Sequence, residues 1–280
     1  MPVNEDPRGV TDRGTKMRIL FVGDVVGNIG VDMIHEYLPQ LKRDLKPQVT
    51  IVNGENSTPV GRGISQNIYK QLLKDGADVV TMGNHTWDNA ELYDFIGGAN
   101  RLVRPANFPG DTPGQGWTKV KVNQQVLAVV NMQGRVFMNP MDDPFAMMKD
   151  LLPELDTDFV FVDFHAETTS EKRAFAMRYD GQLSAVVGTH THVQTSDAQV
   201  LKHGTAFMTE AGMTGPADSV LGMQADSVIE RFENQRPTRY TVQEKGAGLL
   251  SGCVIDLNDK NGHATRIHPI LISPQHPYQS

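Results

Sequence analysis

The sequence predicts an α/β fold in which two mixed β-sheets pack together with helices outside them. Three observations predict it. The first hundred residues alternate apolar, strand-like runs with amphipathic helical segments. Beyond about residue 118 hairpin patterns enter that alternation. No low-complexity linker or solenoid-period repeat divides the chain. Alternating strands and helices imply parallel strands with right-handed crossovers, and each sheet then needs both faces covered.

The elements follow in order. Ile19-Leu20-Phe21-Val22 marks a first strand over 18–24, and Gly27 and Gly30 mark a loop after it. A helix is expected over 31–46, because Ile34, Leu38, Leu41 and Leu45 share one face and Pro47 closes it. A second strand runs over 49–54 and a flexible loop over 58–63. Ser65 caps a helix that reaches Asp75, and Gly76 stops it. The third strand is 78–83, with a short helix over 89–96 ended by Gly97-Gly98. The pattern then loosens through 102–109. Lys119-Val120-Lys121-Val122, a turn at 123–125 and Val126–Val130 read as a hairpin. Helices are expected over 144–155, 170–179 and 224–233. Strands are expected over 159–164 and 184–188, with two more between 198 and 209. A closing antiparallel pair is expected over 248–257 and 264–270.

The 280 residues carry a formal net charge of −7. That argues against a broad nucleic-acid footprint, which needs Lys and Arg to replace counterions. It leaves room for one short nucleotide at a locally cationic site, and bound metal would supply that charge. The single cysteine, Cys253, permits no internal disulfide and no cysteine-based zinc site; its apolar neighbours make it a core residue. No stretch is long and apolar enough for a membrane span. Residues 1–16 are polar and lack the apolar core of a secretory signal. They read as a disordered extension before one domain over 17–280, and the cytoplasm is the default location. Homo-oligomerisation is compatible with the sequence, but nothing in it fixes one.

Several strand-like runs end in polar residues of one kind. Val79-Val80-Thr81-Met82-Gly83 ends in Asn84-His85, and Ile19–Gly23 ends in Asp24. Val49–Gly54 ends in Glu55-Asn56, Phe159–Phe164 in His165, and Ala185–Thr189 in His190-Thr191-His192. Ligands of parallel sheets gather at such carboxyl ends. Asp24 and Glu55 offer anionic oxygens, Asn56 and Asn84 amide oxygens, and His165, His190 and His192 imidazole nitrogens. Such a mixed set suits Mn, Fe or Zn better than Mg or Ca. Seven donors are too many for one ion with an open position and suit two ions about 3.5–4 Å apart, with Glu55 or Asp24 able to bridge. His85 can hold or give a proton near neutral pH. Glu167 and Asp88 could orient ligand imidazoles or be surface charges. Trp87 fits core packing better than base stacking. Gly212–Pro216 could be a lid or a surface loop. No dense Arg cluster lies near these motifs in the sequence.

Together the motifs resemble the calcineurin-like metallophosphoesterases over nearly the whole chain from Met17 to about Ile270. Gly23-Asp24, Glu55, Gly83-Asn84-His85, His165 and Gly188-Thr189-His190-Thr191-His192 follow that family's order. One feature departs from it: Asp24-Val25-Val26 stands where most members have Asp-x-His. That change, with Glu55-Asn56, His85-Thr86-Trp87-Asp88 and His165-Ala166-Glu167, is similar to the bacterial 2′,3′-cyclic-nucleotide 2′-phosphodiesterases. The resemblance implies a four-layer α/β/β/α sandwich. It implies one ion on Asp24, Glu55, Asn56 and His192, and another on Glu55, Asn84, His165 and His190. The ions would be divalent or trivalent, iron or manganese first and zinc next. It further implies hydrolysis of a small nucleoside 2′,3′-cyclic phosphate by a metal-bridging hydroxide, with His85 as proton donor. A phosphomonoesterase or protein phosphatase on the same scaffold, or a metal-binding regulatory protein with weak catalysis, are the alternatives.

Overall fold

The computed structural model describes residues 16–279. The expected disordered extension over 1–16 lies outside the described residues, apart from Lys16, which opens the first strand. That strand, β1, is Lys16–Val22, followed by α1 (Gly27–Leu45), β2 (Val49–Asn53), α2 (Gln66–Asp75) and β3 (Val79–Thr81). Next come α3 (Leu92–Phe95), β4 (Leu102–Val103), β5 (Trp117–Val122), β6 (Gln125–Gln133) and α4 (Pro144–Leu155). The chain continues with β7 (Phe159–His165), α5 (Thr169–Arg178), β8 (Ala185–Thr189), β9 (Gln199–Val200) and β10 (Ala206–Met208). It closes with β11 (Gly215–Pro216), α6 (Ala225–Asn234), β12 (Gly248–Asn258) and β13 (Ala264–Ile272).

Among the described residues the strands form two mixed sheets. One runs β11-β12-β1-β2-β3-β4 with β13 on β12; the other runs β5-β6-β7-β8-β10-β9. β1 through β4 are mutually parallel, as are β6, β7, β8 and β10. The period-2 alternation of side chains explains how one apolar strand serves two cores. Ile19 and Phe21 point between the sheets, where they meet Ile51, Val129, Phe161 and Val187. Leu20 and Val22 point outward onto α1 and α2, against Ile34, Leu38 and Leu72. Val160, Val162 and Phe164 likewise turn outward onto α4 and α5. The result is helix, sheet, sheet, helix. Cys253 lies in the core between the sheets, and burial pushes its thiol up.

The caps obey local chemistry. Ser65 Oγ accepts from the Ile68 amide at 3.3 Å, and Gly76 ends α2 at φ +120°. Asp143 caps α4 with Pro144 at its first turn. Two elements differ from expectation. α1 begins at Gly27, so Gly27 and Gly30 are helical rather than loop residues; Gly30 is small because a Cβ there would strike the Thr214 carbonyl. The helix expected over 89–96 shrinks to α3 and a 3₁₀ turn over 96–98, because residues 89–91 close three-residue turns onto the amides of 92–94, with the Asn89 side chain held on the Ile64 carbonyl. Residues 210–216 form neither lid nor surface loop. They are buried, with β11 on β12 and Thr214 bonded to the Asp24 and Val26 backbones. Among the described residues no helix is long and apolar enough to cross a membrane.

Candidate metal centre

Five parallel strands present their carboxyl ends to one place. β1 delivers Asp24, β2 delivers Glu55 and Asn56, and β3 delivers Asn84 and His85. From the facing sheet β7 ends in His165 itself, and β8 exits into His190-Thr191-His192. The two sets meet at His165. Its Nε2 lies 2.8 Å from Asn84 Oδ1, 3.0 Å from Glu55 Oε1 and 3.1 Å from His190 Nδ1. One ring nitrogen has at most one proton to share. Three lone-pair atoms crowd it, an arrangement that could hold a cation. Glu55, His165 and His190 each offer a ligand atom, all within 4.8 Å of one another.

Orphaned oxygens support that reading. Asp24 Oδ1 and Asn56 Oδ1 are buried without a hydrogen-bond partner, and both belong to the predicted ligand set. Buried polar atoms left unpaired cost free energy, so a native site supplies them a partner. The donor chemistry, carboxylate, amide and imidazole, fits transition-metal ions.

Space for the cluster depends on Gly83. A Cβ there would run into Glu55 Oε2 and His165 Nε2 and come within 2.5 Å of His165 Cδ2. The His190-Thr191-His192 segment leaves the sheet with both histidines at positive φ, +97° and +64°. Non-glycine residues hold such angles only when their surroundings impose them. The constraint here is Glu210, which is fully buried. Its Oε2 accepts from the Thr191 amide at 2.9 Å, the Thr191 hydroxyl at 2.6 Å and the Lys172 ammonium at 2.8 Å. The His190 amide also donates to Asp24 Oδ2 at 3.1 Å.

A second buried carboxylate orients His165. Asp163 accepts from Thr81 and Asn53 on one oxygen and from Thr189 Oγ1, at 2.6 Å, on the other. With its proton committed to Asp163, Thr189 Oγ1 accepts from His165 Nδ1 at 2.9 Å. This fixes the tautomer and leaves Nε2 for the cluster, the arrangement that metal-ligating imidazoles require. The charges agree. Burial opposes ionisation of both Glu55 and His165, but their mutual attraction prevails, drawing Glu55 down and His165 up. A proton on His165 thus supplies positive charge among Glu55, Asp24 and Asp163, and a cation would displace it. Burial pushes Asp24 well above its usual range; His165 opposes that rise, and Glu210, Glu55 and Asp163 add to it. Burial, then His165, holds His190 down at about 3, and burial also lowers His192, so both keep free lone pairs.

The structure therefore brings Asp24, Glu55, Asn84, His165 and His190 into one cluster. Asn56 sits beside it with its Nδ2 on the Gly61 carbonyl, 3.0 Å away. His192 donates through Nδ1 to the Leu221 carbonyl at 3.1 Å and feels the charges of Glu210, Glu55 and His165. His85 stands apart. Its amide donates to Glu55 Oε2 at 3.2 Å, while its ring pairs through Nδ1 with Asp88 at 2.9 Å. Glu167 contacts His190 Nε2 at 3.1 Å, so it and Asp88 each touch an imidazole of the site. Trp87 stacks on Tyr93 with centroids 4.8 Å apart, which is packing. Sequence reasoning missed Asp163, Thr189, Glu210 and Lys172. Only Asp163 carried a signal, as a lone carboxylate inside the apolar run 159–164.

A family model described as YmdB-like protein matches residues 20–270. The chain is 53% identical to the 2′,3′-cyclic-nucleotide 2′-phosphodiesterase of Bacillus subtilis strain 168, over 94% of this chain and 99% of that protein. It superposes on the crystal structure of a novel phosphatase from Mycoplasma pneumoniae with a TM-score of 0.88 at 33% identity, covering 94% of this chain and 96% of that one. A hypothetical protein from Thermus thermophilus gives a TM-score of 0.85 at 38% identity, covering 92% of this chain and 99% of that one.

Proposed function

This chain belongs to the YmdB-like family of calcineurin-like phosphoesterases, and from that premise we propose that it is a metal-dependent phosphodiesterase of nucleoside 2′,3′-cyclic phosphates. The observation that carries the proposal is the focused ligand set, Glu55, His165 and His190, beside the orphaned oxygens of Asp24 and Asn56. Asp24, Glu55, Asn56 and His192 would hold one ion, and Glu55, Asn84, His165 and His190 a second. Iron or manganese suits this mixed set first, and zinc next. When bound, such ions supply a nucleophile at neutral pH and neutralise charge on phosphoryl oxygens.

The chain's own residues do the rest. Asp163 and Thr189 hold His165 in one tautomer, and Glu210 holds the strained loop that carries His190 and His192. As water adds to phosphorus, the P–O2′ bond breaks and the ribose oxygen needs a proton. His85 gives it. Its Nδ1 is taken by Asp88, which fixes the ring and leaves Nε2 for the leaving oxygen. The product is a 3′-nucleotide. We read residues 17–280 as one catalytic unit acting in the cytoplasm.

The test is metal analysis of the purified protein with turnover measured on the same sample. The panel holds 2′,3′-cyclic nucleotides, mononucleotides and phosphopeptides. Preference for a monoester would sink the substrate assignment. His85→Ala is expected to retain its metal and lose about 10²–10⁴-fold in kcat; full activity in that variant would remove His85 from the acid role.

A further inference from the structure

The fold assembles a cationic cleft that is scattered in the sequence. Arg62, Arg231 and Arg239 line one cleft of about 720 Å³, with Tyr240 and Val60 beside them and Glu244 as its carboxylate. All three arginines are exposed. Among the described residues, Arg231 lies over the Tyr240 ring at 5.5 Å, and no ion pair engages any of the three. Three guanidiniums against one carboxylate is a local excess of positive charge on a chain of net charge −7.

The walls of this cleft tie it to the metal centre. One wall is the 57–63 loop, whose Gly61 carbonyl accepts from Asn56 Nδ2. The other includes Met223, in the turn whose Leu221 carbonyl accepts from His192. That turn is bound in its place by the Gln224 amide on the Thr241 carbonyl at 2.8 Å. Two candidate ligands of one ion thus hold the two loops that lead from the cluster into the cleft. Exposed arginines beside an aromatic face suit a single-stranded nucleic acid, whose phosphates meet guanidinium and whose bases stack. An acidic peptide offers the charge without the bases.

We propose that this cleft receives the phosphodiester chain of a short oligoribonucleotide whose 3′ end carries the cyclic phosphate. This rests on the cyclic-phosphate reading above and names the substrate as a chain end rather than a free mononucleotide. It fits a surface too acidic overall for a long nucleic-acid footprint.

The test uses the metal-loaded protein. A 5′-fluorescein tetranucleotide ending in a 3′-phosphate, the product form, is titrated by fluorescence anisotropy across salt concentrations. In parallel, kcat/KM is compared for a tetranucleotide and a mononucleotide, both ending in the cyclic phosphate. The wild type is expected to favour the tetranucleotide at least tenfold. The triple variant Arg62→Gln/Arg231→Gln/Arg239→Gln is expected to bind the probe at least tenfold more weakly. Its salt dependence should flatten by about 2 in log–log slope, since each phosphate contact on a single strand contributes about 0.7. Arg239→Gln alone, at an exposed position outside helix and strand, is expected to give about a third of that flattening. Equal kcat/KM for the two substrates in the wild type would overturn the proposal. So would unchanged binding in both variants, or tighter capture of poly-glutamate than of the oligonucleotide. If the probe binds as expected but neither cyclic phosphate is turned over, the cleft stands and the hydrolytic reading falls.

Discussion

Gly83→Ala isolates the geometry of the metal centre from its chemistry. The substitution adds one methyl group and changes no ligand. Gly83 is not at positive φ, so alanine meets no backbone strain there. Its Cβ would nevertheless sit within 2.5 Å of His165 Cδ2 and closer still to Glu55 Oε2 and His165 Nε2. Those contacts are roughly 1 Å short of ordinary van der Waals separation, and the atoms are buried and hydrogen-bonded, so they cannot rotate away. Overpacking of this kind costs about 1–3 kcal/mol, offset by about 0.4–1 kcal/mol from the stiffer unfolded chain. Net destabilisation should be no more than about 2.6 kcal/mol by those two ranges. The cluster should suffer more, because a displacement near 1 Å at reacting groups costs about 10²-fold in rate. Metal content by mass spectrometry, kcat on a cyclic nucleotide and urea unfolding are measured together. The expected result is a folded protein with depleted metal and a rate down about 100-fold. Gly98→Ala is the control, since nothing lies within 4 Å of a Cβ there, and it should match the wild type. A Gly83→Ala enzyme with full metal and a rate within twofold of wild type would refute the idea that Glu55 and His165 converge on a fixed point beside this backbone.

Three further outcomes are expected. Asp163→Asn turns an amide toward hydroxyl and amide donors and loosens the Thr189–His165 relay; metal affinity should fall about 10–100-fold by equilibrium dialysis. Lys172→Met leaves Glu210 as an unpaired buried charge beneath the Thr191 loop, and chemical denaturation should show a loss of about 3–5 kcal/mol. Asp197 behaves as an acid-sensitive staple. Burial alone would raise its pKa, but hydrogen bonds from Thr209 and Thr195 prevail and lower it. A depressed folded-state pKa means its contribution is complete above the unfolded value and is lost as pH falls through the folded one. Asp197→Asn should therefore reduce stability at pH 7 and flatten the acid limb of the unfolding midpoint below about pH 4.

Much of the fold was legible because its signals are local. The helix face of Ile34, Leu38 and Leu41, the Ser65 cap and the alternating hairpin at 119–130 each depend on near neighbours. Strand ends were legible for the same reason, so Asp24, Glu55 and Asn84 stood out where apolar runs break off, whereas His165 was lifted only by the family spacing. The helix after Asn89 is shorter than its pattern because the Asn89 side chain is held on the distant Ile64 carbonyl and residues 89–91 close tight turns, a tertiary tie that local pattern does not carry. β11 went unseen: two residues, one of them proline, carry no strand pattern.

Sequence alone determined the order of elements, the acidic surface and which side chains could ligate a metal, since these follow from residue type and spacing along one chain. Tertiary structure alone decided how those groups are held. Glu210 and Lys172 stand 38 residues apart and meet in the core; Asp163 reaches His165 only through a hydroxyl on the neighbouring strand. No arginine cluster was visible in the chain, yet Arg62, Arg231 and Arg239 share one cleft. The physical reason is the same in each case. A buried charge or a convergent cleft is set by partners distant in sequence, and local pattern carries no information about which strands will lie side by side.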